Sequence, residues 1–368
     1  MWKSHLIYGI GTILTIVFLG LAEWFKKKDT AKFKKWYILF LILSIMPLSI
    51  ISSIRWGVGT DYFYTYYPRF FRIMGGEWFD EGKLIYNEIP FLLLNQVLAM
   101  MFTSPEPLFV ITSFVFMTFL ILSIDKMSKC LPLSGALIVL GNFWFISMNN
   151  VRQCCSLAIA IYAFSFFCDR KYIKAIVLSL LAMCFHATSG ILIPIFVILS
   201  FKKLRKYYLE IAMGLFIVAL FAFDAAKWIM ELLGYGKYFE PSELQMPLYF
   251  QILLFGYLFL IIVFGRNKIK DQDDYAFPLM ILSTLAFIVA LESLRYQTTE
   301  TMSRAVLFFS WSVIFILPYM RKLTKYKWLN WALICIAILL VCANTYYITI
   351  YLGHHEVFPY RSVFSKNF

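Results

Sequence analysis

Long apolar runs separated by short basic clusters repeat along all 368 residues. A run of about 20 apolar residues is enough to cross the hydrocarbon core of a bilayer as a helix. A soluble core has no reason to repeat such runs with lysine and arginine between them. The pattern predicts full spans near 5–25, 36–54, 106–124, 130–148, 151–168, 207–223, 247–265, 275–291, 304–320 and 328–351. The first of these, His5 to Phe25, carries no small-residue cleavage site and ends in a basic block, so it reads as a retained helix. Two stretches are too short for the pattern. Ile89 to Phe102 is expected to enter and leave by one face or to lie in the interface. Tyr172 to Phe201 begins and ends at basic blocks without room for two full crossings, which predicts two short helices with His186 to Gly190 at their apex. Irregular backbone at such depth is tolerated only where protein buries it or water reaches it.

The expectation is an all-α polytopic integral membrane protein, one transmembrane domain over 1–368, with about ten full transmembrane helices among roughly 11 to 14 hydrophobic segments. Between and after the spans it has an outer loop at 55–88 bearing an interfacial aromatic helix, a short-helix hairpin at 172–201 and an outer tail at 352–368.

Composition agrees: 61% of the residues are hydrophobic and 15% charged, with a net charge of +13. The charge is not evenly spread. Six blocks, Lys26 to Lys35, Lys126 to Lys129, Arg170 to Lys174, Lys202 to Lys206, Arg266 to Lys270 and Arg321 to Lys327, hold 22 of the 34 basic residues and can all be placed on one side. That side then carries +14 and the other −1. Such asymmetry is what orients helices in a membrane. It is a topology signal, and it argues against nucleic acid as a partner.

With this topology the polar groups that interrupt apolar runs gather on the side away from the basic blocks. Asn149-Asn150-Val-Arg152-Gln153 and Cys184-Phe-His186-Ala-Thr188-Ser189 stand out, because an arginine or imidazole at membrane depth costs a few kcal/mol and persists only where something compensates it. The first outer loop adds Arg55-Trp-Gly-Val-Gly-Thr-Asp61-Tyr62 and then Phe63, Tyr64, Tyr66, Tyr67, Phe70 and Phe71. Gly57 and Gly59 permit a positive φ and a close backbone approach. The rings are those of an interfacial belt or of a surface that stacks sugar faces.

Taken in order, Arg55-x-Gly-x-Gly-Thr-Asp-Tyr62, Asn150-Val-Arg-Gln153, Asp169-Arg-Lys171, Ala182-x-x-Phe-His186-x-Thr-Ser189, the Arg295 to Arg304 segment and Pro359-Tyr-Arg-Ser-Val-Phe364 resemble the EpsG/Wzy-type polysaccharide polymerases of bacterial envelopes. The resemblance runs over nearly the whole chain. It implies a GT-C-like glycosyltransferase of the bacterial inner membrane that joins O-antigen, capsule or exopolysaccharide repeat units carried on undecaprenyl pyrophosphate, with its active site facing the periplasm or exterior. Its substrates would be undecaprenyl-pyrophosphate-linked oligosaccharides. Membrane lipids, a flippase and a chain-length regulator would be its partners.

That chemistry suits the residues present. As an acceptor hydroxyl attacks the anomeric carbon, charge builds on the departing diphosphate, and fixed cations in a dry cleft stabilise it. Arginine offers a forked, permanently charged donor for phosphate oxygens. Arg55, Arg152, Arg295 and Arg304 are therefore the expected diphosphate clamp, Arg152 and Arg304 foremost because each starts a helix, at the positive end of its dipole. The base that takes the hydroxyl proton is sought among His186, Asp61 and Glu292, and the residues do not rank them. Asn150, Gln153, Tyr62 and Glu300 complete the expected substrate contacts, Glu300 standing four residues before Arg304 in position to orient it.

Other motifs are set aside. Asp271-Gln-Asp273-Asp274 has the spacing of a metal-binding D-x-D, but it lies in a short basic loop on the wrong side. The seven cysteines fall mostly within spans and lack ligand spacing. His354-His355 could hold a metal only with a third ligand, and none is near in sequence. No phosphate loop, dinucleotide fingerprint or nucleophile elbow is present, so neither a metal nor a cofactor is expected. Two other functions remain open: a transporter or flippase of lipid-linked oligosaccharide, which would ordinarily show internal repeats, and a membrane acyltransferase acting on polysaccharide.

Overall fold

The computed structural model describes residues 2–28, 30–77, 89–186, 189–190, 192–232, 249–295 and 306–365. Among these residues the chain is helical throughout, and extended pairing is confined to an isolated antiparallel bridge between Arg55 and Ser362. Seven helices are long and apolar enough to cross a membrane, or up to eight if a bent pair counts as one span. The protein is an all-α, multi-pass membrane protein. The sequence reads as one transmembrane domain, and the packing groups it into two compact units, 1–197 with 349–368 and 198–348.

The first unit begins with α1 (Trp2–Lys27) and α2 (Ala31–Ser53), packed side by side. Both expose large apolar side chains such as Leu6, Ile13 and Ile42, as lipid-facing helices do. Where α1 meets its neighbours it uses small residues. Gly11 lies against Leu48 and Ile51 of α2, and Leu19 lies against Gly135, so that backbones approach closely without a hydrophobic drive between helices. The outer loop then forms a π-helical turn at Tyr62–Tyr66 running into α3 (Tyr67–Met74). Its apolar residues divide by face: Tyr62, Tyr66, Phe70 and Ile73 are buried, whereas Phe63 and Tyr64 are exposed.

The expected interfacial segment is α4 (Ile89–Met101), followed by α5 (Glu106–Met127). The span expected over 130–148 is broken instead. It consists of α6 (Leu131–Leu140) and α7 (Phe143–Asn149), bent by 48°. Asn142 at the break takes a left-handed conformation (φ 69°), which asparagine tolerates better than other residues with a side chain. Next comes α8 (Val151–Cys168), buried along nearly its whole length against α5 and α9 (Tyr172–Phe185). α10 (Leu192–Leu199) follows, and His186 ends α9; residues 187, 188 and 191 around the expected apex lie outside the described residues.

The two ends of this unit differ in chemistry. At one end the basic blocks meet acidic partners. Lys26 pairs with Asp125 at 2.7 Å, Tyr37 donates to the same carboxylate at 2.6 Å, and Lys126 pairs with Asp169 at 2.6 Å. Glu23 accepts from the backbone N–H of Leu131 at 2.8 Å, satisfying an open donor at the start of α6. At the other end lie the outer loop, the start of α8, the apex and the tail.

The second unit holds α11 (Tyr208–Leu232), α12 (Tyr249–Lys270), α13 (Ala276–Arg295), helical residues 306–310, α14 (Ser312–Tyr319) and α15 (Lys327–Tyr346). α13 and α14 form its buried centre, tied by a Ser283 to Ser312 hydrogen bond of 3.0 Å. Its basic blocks also gather at one end: Lys202 and Arg205 hold Asp274 at 2.5 and 2.7 Å. These bonds pull the Asp274 carboxyl below its ordinary range. Asp273 accepts from the N–H groups of Tyr275 and Ala276 and from the Tyr319 hydroxyl, so this D-x-D spacing serves to start α13.

Candidate functional site at the loop end of the first unit

Seven residues separate the end of α2 from Asp61, and Arg55 organises them. Its guanidinium is 1% exposed and gives each nitrogen to a backbone carbonyl: Nε to Val58 at 3.2 Å, Nη1 to Ser52 at 2.5 Å and Nη2 to Met148 at 3.2 Å. The ring of Phe109 covers it at 4.4 Å. Burial lowers its pKa to about 10, partly offset by Tyr62, Tyr66, Tyr360 and Tyr8, so it stays a cation at neutral pH. Gly57 (φ 60°) and Gly59 (φ 98°) make the turn around it. A Cβ on Gly59 would run into the Met148 carbonyl. The Arg55 fork is thus turned into the protein, where it ties Ser52, Val58 and Met148 to one point.

The tail locks the same loop from the other side. Trp56 N donates to Arg361 O at 2.9 Å, Val363 N to Ile54 O at 2.8 Å, and Thr60 N to His355 O at 3.2 Å. Tyr360 reaches the Ile51 carbonyl through its hydroxyl at 2.9 Å, and Tyr8 of α1 donates to Val357 O at 2.6 Å. Asp61 leaves this frame with its backbone N–H on Asn149 Oδ1 (2.8 Å) and its carboxylate accepting from Thr65 (3.0 Å).

Asn150 is the hinge between α7 and α8, and Arg152 lies in the first turn of α8. The Arg152 backbone N–H approaches the Tyr66 hydroxyl at 3.4 Å, and its guanidinium stands 5.7 Å from the Phe91 ring centre. Burial pushes the Tyr66 hydroxyl up to about 12, with the Arg152 charge pulling the other way. One turn along the same face, Ser156 donates to Ala182 O at 2.7 Å and to His186 O at 3.2 Å. Phe185, next to His186, packs with Tyr62, Tyr66, Phe70 and Phe91. Arg152, Asp61 and His186 therefore share one end of the unit, around a buried aromatic cluster. Gln153, 5% exposed, and the wholly buried Tyr62 each keep a side-chain polar atom there without a hydrogen-bond partner.

Residues 37–362, nearly the whole chain, match the EpsG family. The chain belongs to the EpsG family. EpsG is a Wzy-type polymerase family, which gives this membrane protein a general role in building polysaccharide. No curated protein and no solved structure matches it.

In this EpsG-family chain, Glu292 and the backbone of Arg295 belong to the last turn of α13, in the second unit. Glu300 and Arg304 lie outside the described residues. Three residues outside the expected contacts stand at the same end: Tyr66, Asn149 and His355. Tyr66 was legible, since Tyr62, Tyr66 and Phe70 recur every four residues on one helical face. Asn149 stood inside the polar cluster already noted. His355 gave no signal beyond a histidine pair. Its Nδ1 lies 2.9 Å from Asn149 Nδ2, a contact that depends on the tail folding back across 206 residues.

Proposed function

We propose that the chain polymerises a bacterial surface polysaccharide at the outer face of the inner membrane. It transfers a glycan from undecaprenyl pyrophosphate to a hydroxyl of a second lipid-linked unit, without a metal ion. In this reaction the acceptor oxygen attacks the anomeric carbon and the bond from that carbon to the phosphate oxygen breaks. The bonding pair leaves with the diphosphate, and the hydroxyl proton passes to Asp61 or His186. Arg152 neutralises the departing diphosphate. Arg55 contributes by fixing the loop that carries Asp61.

The observation that carries this reading is the setting of Arg152. It stands at the positive end of a buried helix, beside the Tyr66 hydroxyl and one turn from the segment that positions His186. The basic clusters lie at the other end of the same unit, which supports an outward site under the positive-inside rule.

The test is a ladder assay with purified protein and the lipid-linked oligosaccharide that accumulates in cells lacking it. Wild-type protein should extend the oligosaccharide in the presence of EDTA. Arg152→Ala should fold normally and polymerise roughly 10²-fold more slowly, the scale of one lost transition-state donor. Arg152→Lys should regain part of the rate, because it keeps the charge and loses the fork. Normal polymerisation by Arg152→Ala would place the site elsewhere. Export of the lipid without extension would favour a flippase.

A further inference from the structure

His355 was set aside in the sequence for want of further metal ligands, and the structure gives it a different use. A backbone N–H can only donate, so the bond from Asp61 N fixes Asn149 Oδ1 on that side at 2.8 Å. The Asn149 Nδ2 group then points at His355 Nδ1, 2.9 Å away, and at Asn150 Oδ1, 3.2 Å away. Nδ2 also can only donate. His355 Nδ1 is therefore an acceptor, and the proton of the neutral ring sits on Nε2. That Nε2 is buried and, among the described residues, has no hydrogen-bond partner. A buried donor without an acceptor is costly, and an oxygen brought by a ligand would relieve it.

The turn that carries the ring is also held away from ordinary geometry. Gly353, His355 and Glu356 have φ of 64°, 67° and 47°. Thr60 N and Gly59 N clamp the turn through the carbonyls of His355 and Glu356 at 3.2 and 3.3 Å. Backbone strain and an unmet donor at one residue are the combination that functional positions retain. The groups around the ring are His354 and Glu356 on its own turn, Asp61 and Thr60 on the loop, and Asn149 and Asn150 on the α7 to α8 hinge. The group bonded to the ring is a neutral amide, which suits an uncharged oxygen better than a phosphate; phosphate is the natural ligand of Arg152.

We propose that His355 presents its Nε2–H to an uncharged oxygen of the glycan, as a binding residue that sets the sugar against the Asp61 and Arg152 end of the unit. The identity of the ligand as a glycan rests on the polymerase reading. Nε2 is covered in the state described here, so the glycan reaches it as the 353–356 turn shifts.

Two substitutions separate binding from architecture. His355→Asn places its carbonyl near the Nδ1 position, keeps the tie to Asn149 and suits a left-handed backbone, but has nothing at the Nε2 position. His355→Gln places its amide N–H near Nε2 and loses the tie. Affinity for the lipid-linked oligosaccharide that accumulates in cells lacking the protein should fall roughly tenfold or more in His355→Asn, and much less in His355→Gln. Thermal stability should follow the opposite order. A role confined to architecture predicts the Asn variant to be the better in both measurements.

The direct measurement is ¹⁵N-histidine NMR of the full chain, with the His355 signals assigned by their loss in His355→Asn. At pH 7 the ring should be neutral and protonated on Nε2. The Nε2 signal should move when the lipid-linked oligosaccharide is added and stay in place with undecaprenyl diphosphate lacking sugar. A ring protonated on Nδ1, an unmoved Nε2 signal, or an equal response to the sugar-free lipid would each overturn the proposal. A sugar-dependent shift in protein that forms no ladder would leave the subsite standing and remove the polymerase reading instead.

Discussion

The two ends of the first unit are held together by opposite means. At the basic end, Lys26 pairs with Asp125 through a side chain that water still reaches, Lys26 being 45% exposed, and Lys126 pairs with Asp169. At the loop end, Arg55 is buried and donates to three backbone carbonyls, and the tail is bound largely through main-chain donors. Exposed ion pairs tolerate substitution because another cation can take the place of the first. A buried fork answering three carbonyls has no substitute. The difference shows which end needs a fixed geometry and which needs only a charge of the right sign.

The strongest challenge to that contrast is removal of the fork. Arg55→Ala should cost about 3–5 kcal/mol of stability, since three buried carbonyls lose their donor at once. The loss should be insensitive to salt. Purified Arg55→Ala that melts with wild-type protein would mean that water replaces the fork, and that the loop end is no more exacting than the basic one.

A smaller effect comes from His355, whose pKa burial lowers from 6.5 to about 4, with the neighbouring His354 adding to the shift. The folded ring stays neutral where the unfolded one takes up a proton. The contribution is complete above pH 6.5 and is lost as pH falls toward 4. Wild-type protein should therefore lose about 2–4 °C more than His355→Asn across that window in thermal melts. Parallel curves for the two would show that the ring is not held neutral.

The smallest effect is expected at the basic end. Lys26→Ala should cost about 0.2–1 kcal/mol at low salt and nothing measurable at 1 M NaCl, where screening acts within about 3 Å. A large, salt-resistant loss there would erase the contrast.

How much of this could be read from the chain follows the range of the interactions. Spans and basic clusters were legible because apolar periodicity and charge are local properties. Gly57 and Gly59 were legible as turn residues for the same reason. The break at Asn142 was not, because an apolar run looks the same whether its helix is straight or bent. The use of Arg55 was hidden, since nothing in the sequence shows that Ser52, Val58 and Met148 present carbonyls to one point. His355 was hidden most deeply, its partner lying 206 positions away.

The bridge between Arg55 and Ser362 carries a consequence for how the protein is made. Loop residues 55–60 are synthesised early, yet their backbone partners lie in residues 355–363, which leave the ribosome after every helix described here. The helices can enter the membrane in order while the loop waits with its amides unmet. A chain stalled or cleaved before Gly353 would hold Arg152 and Asp61 without the frame that aligns them.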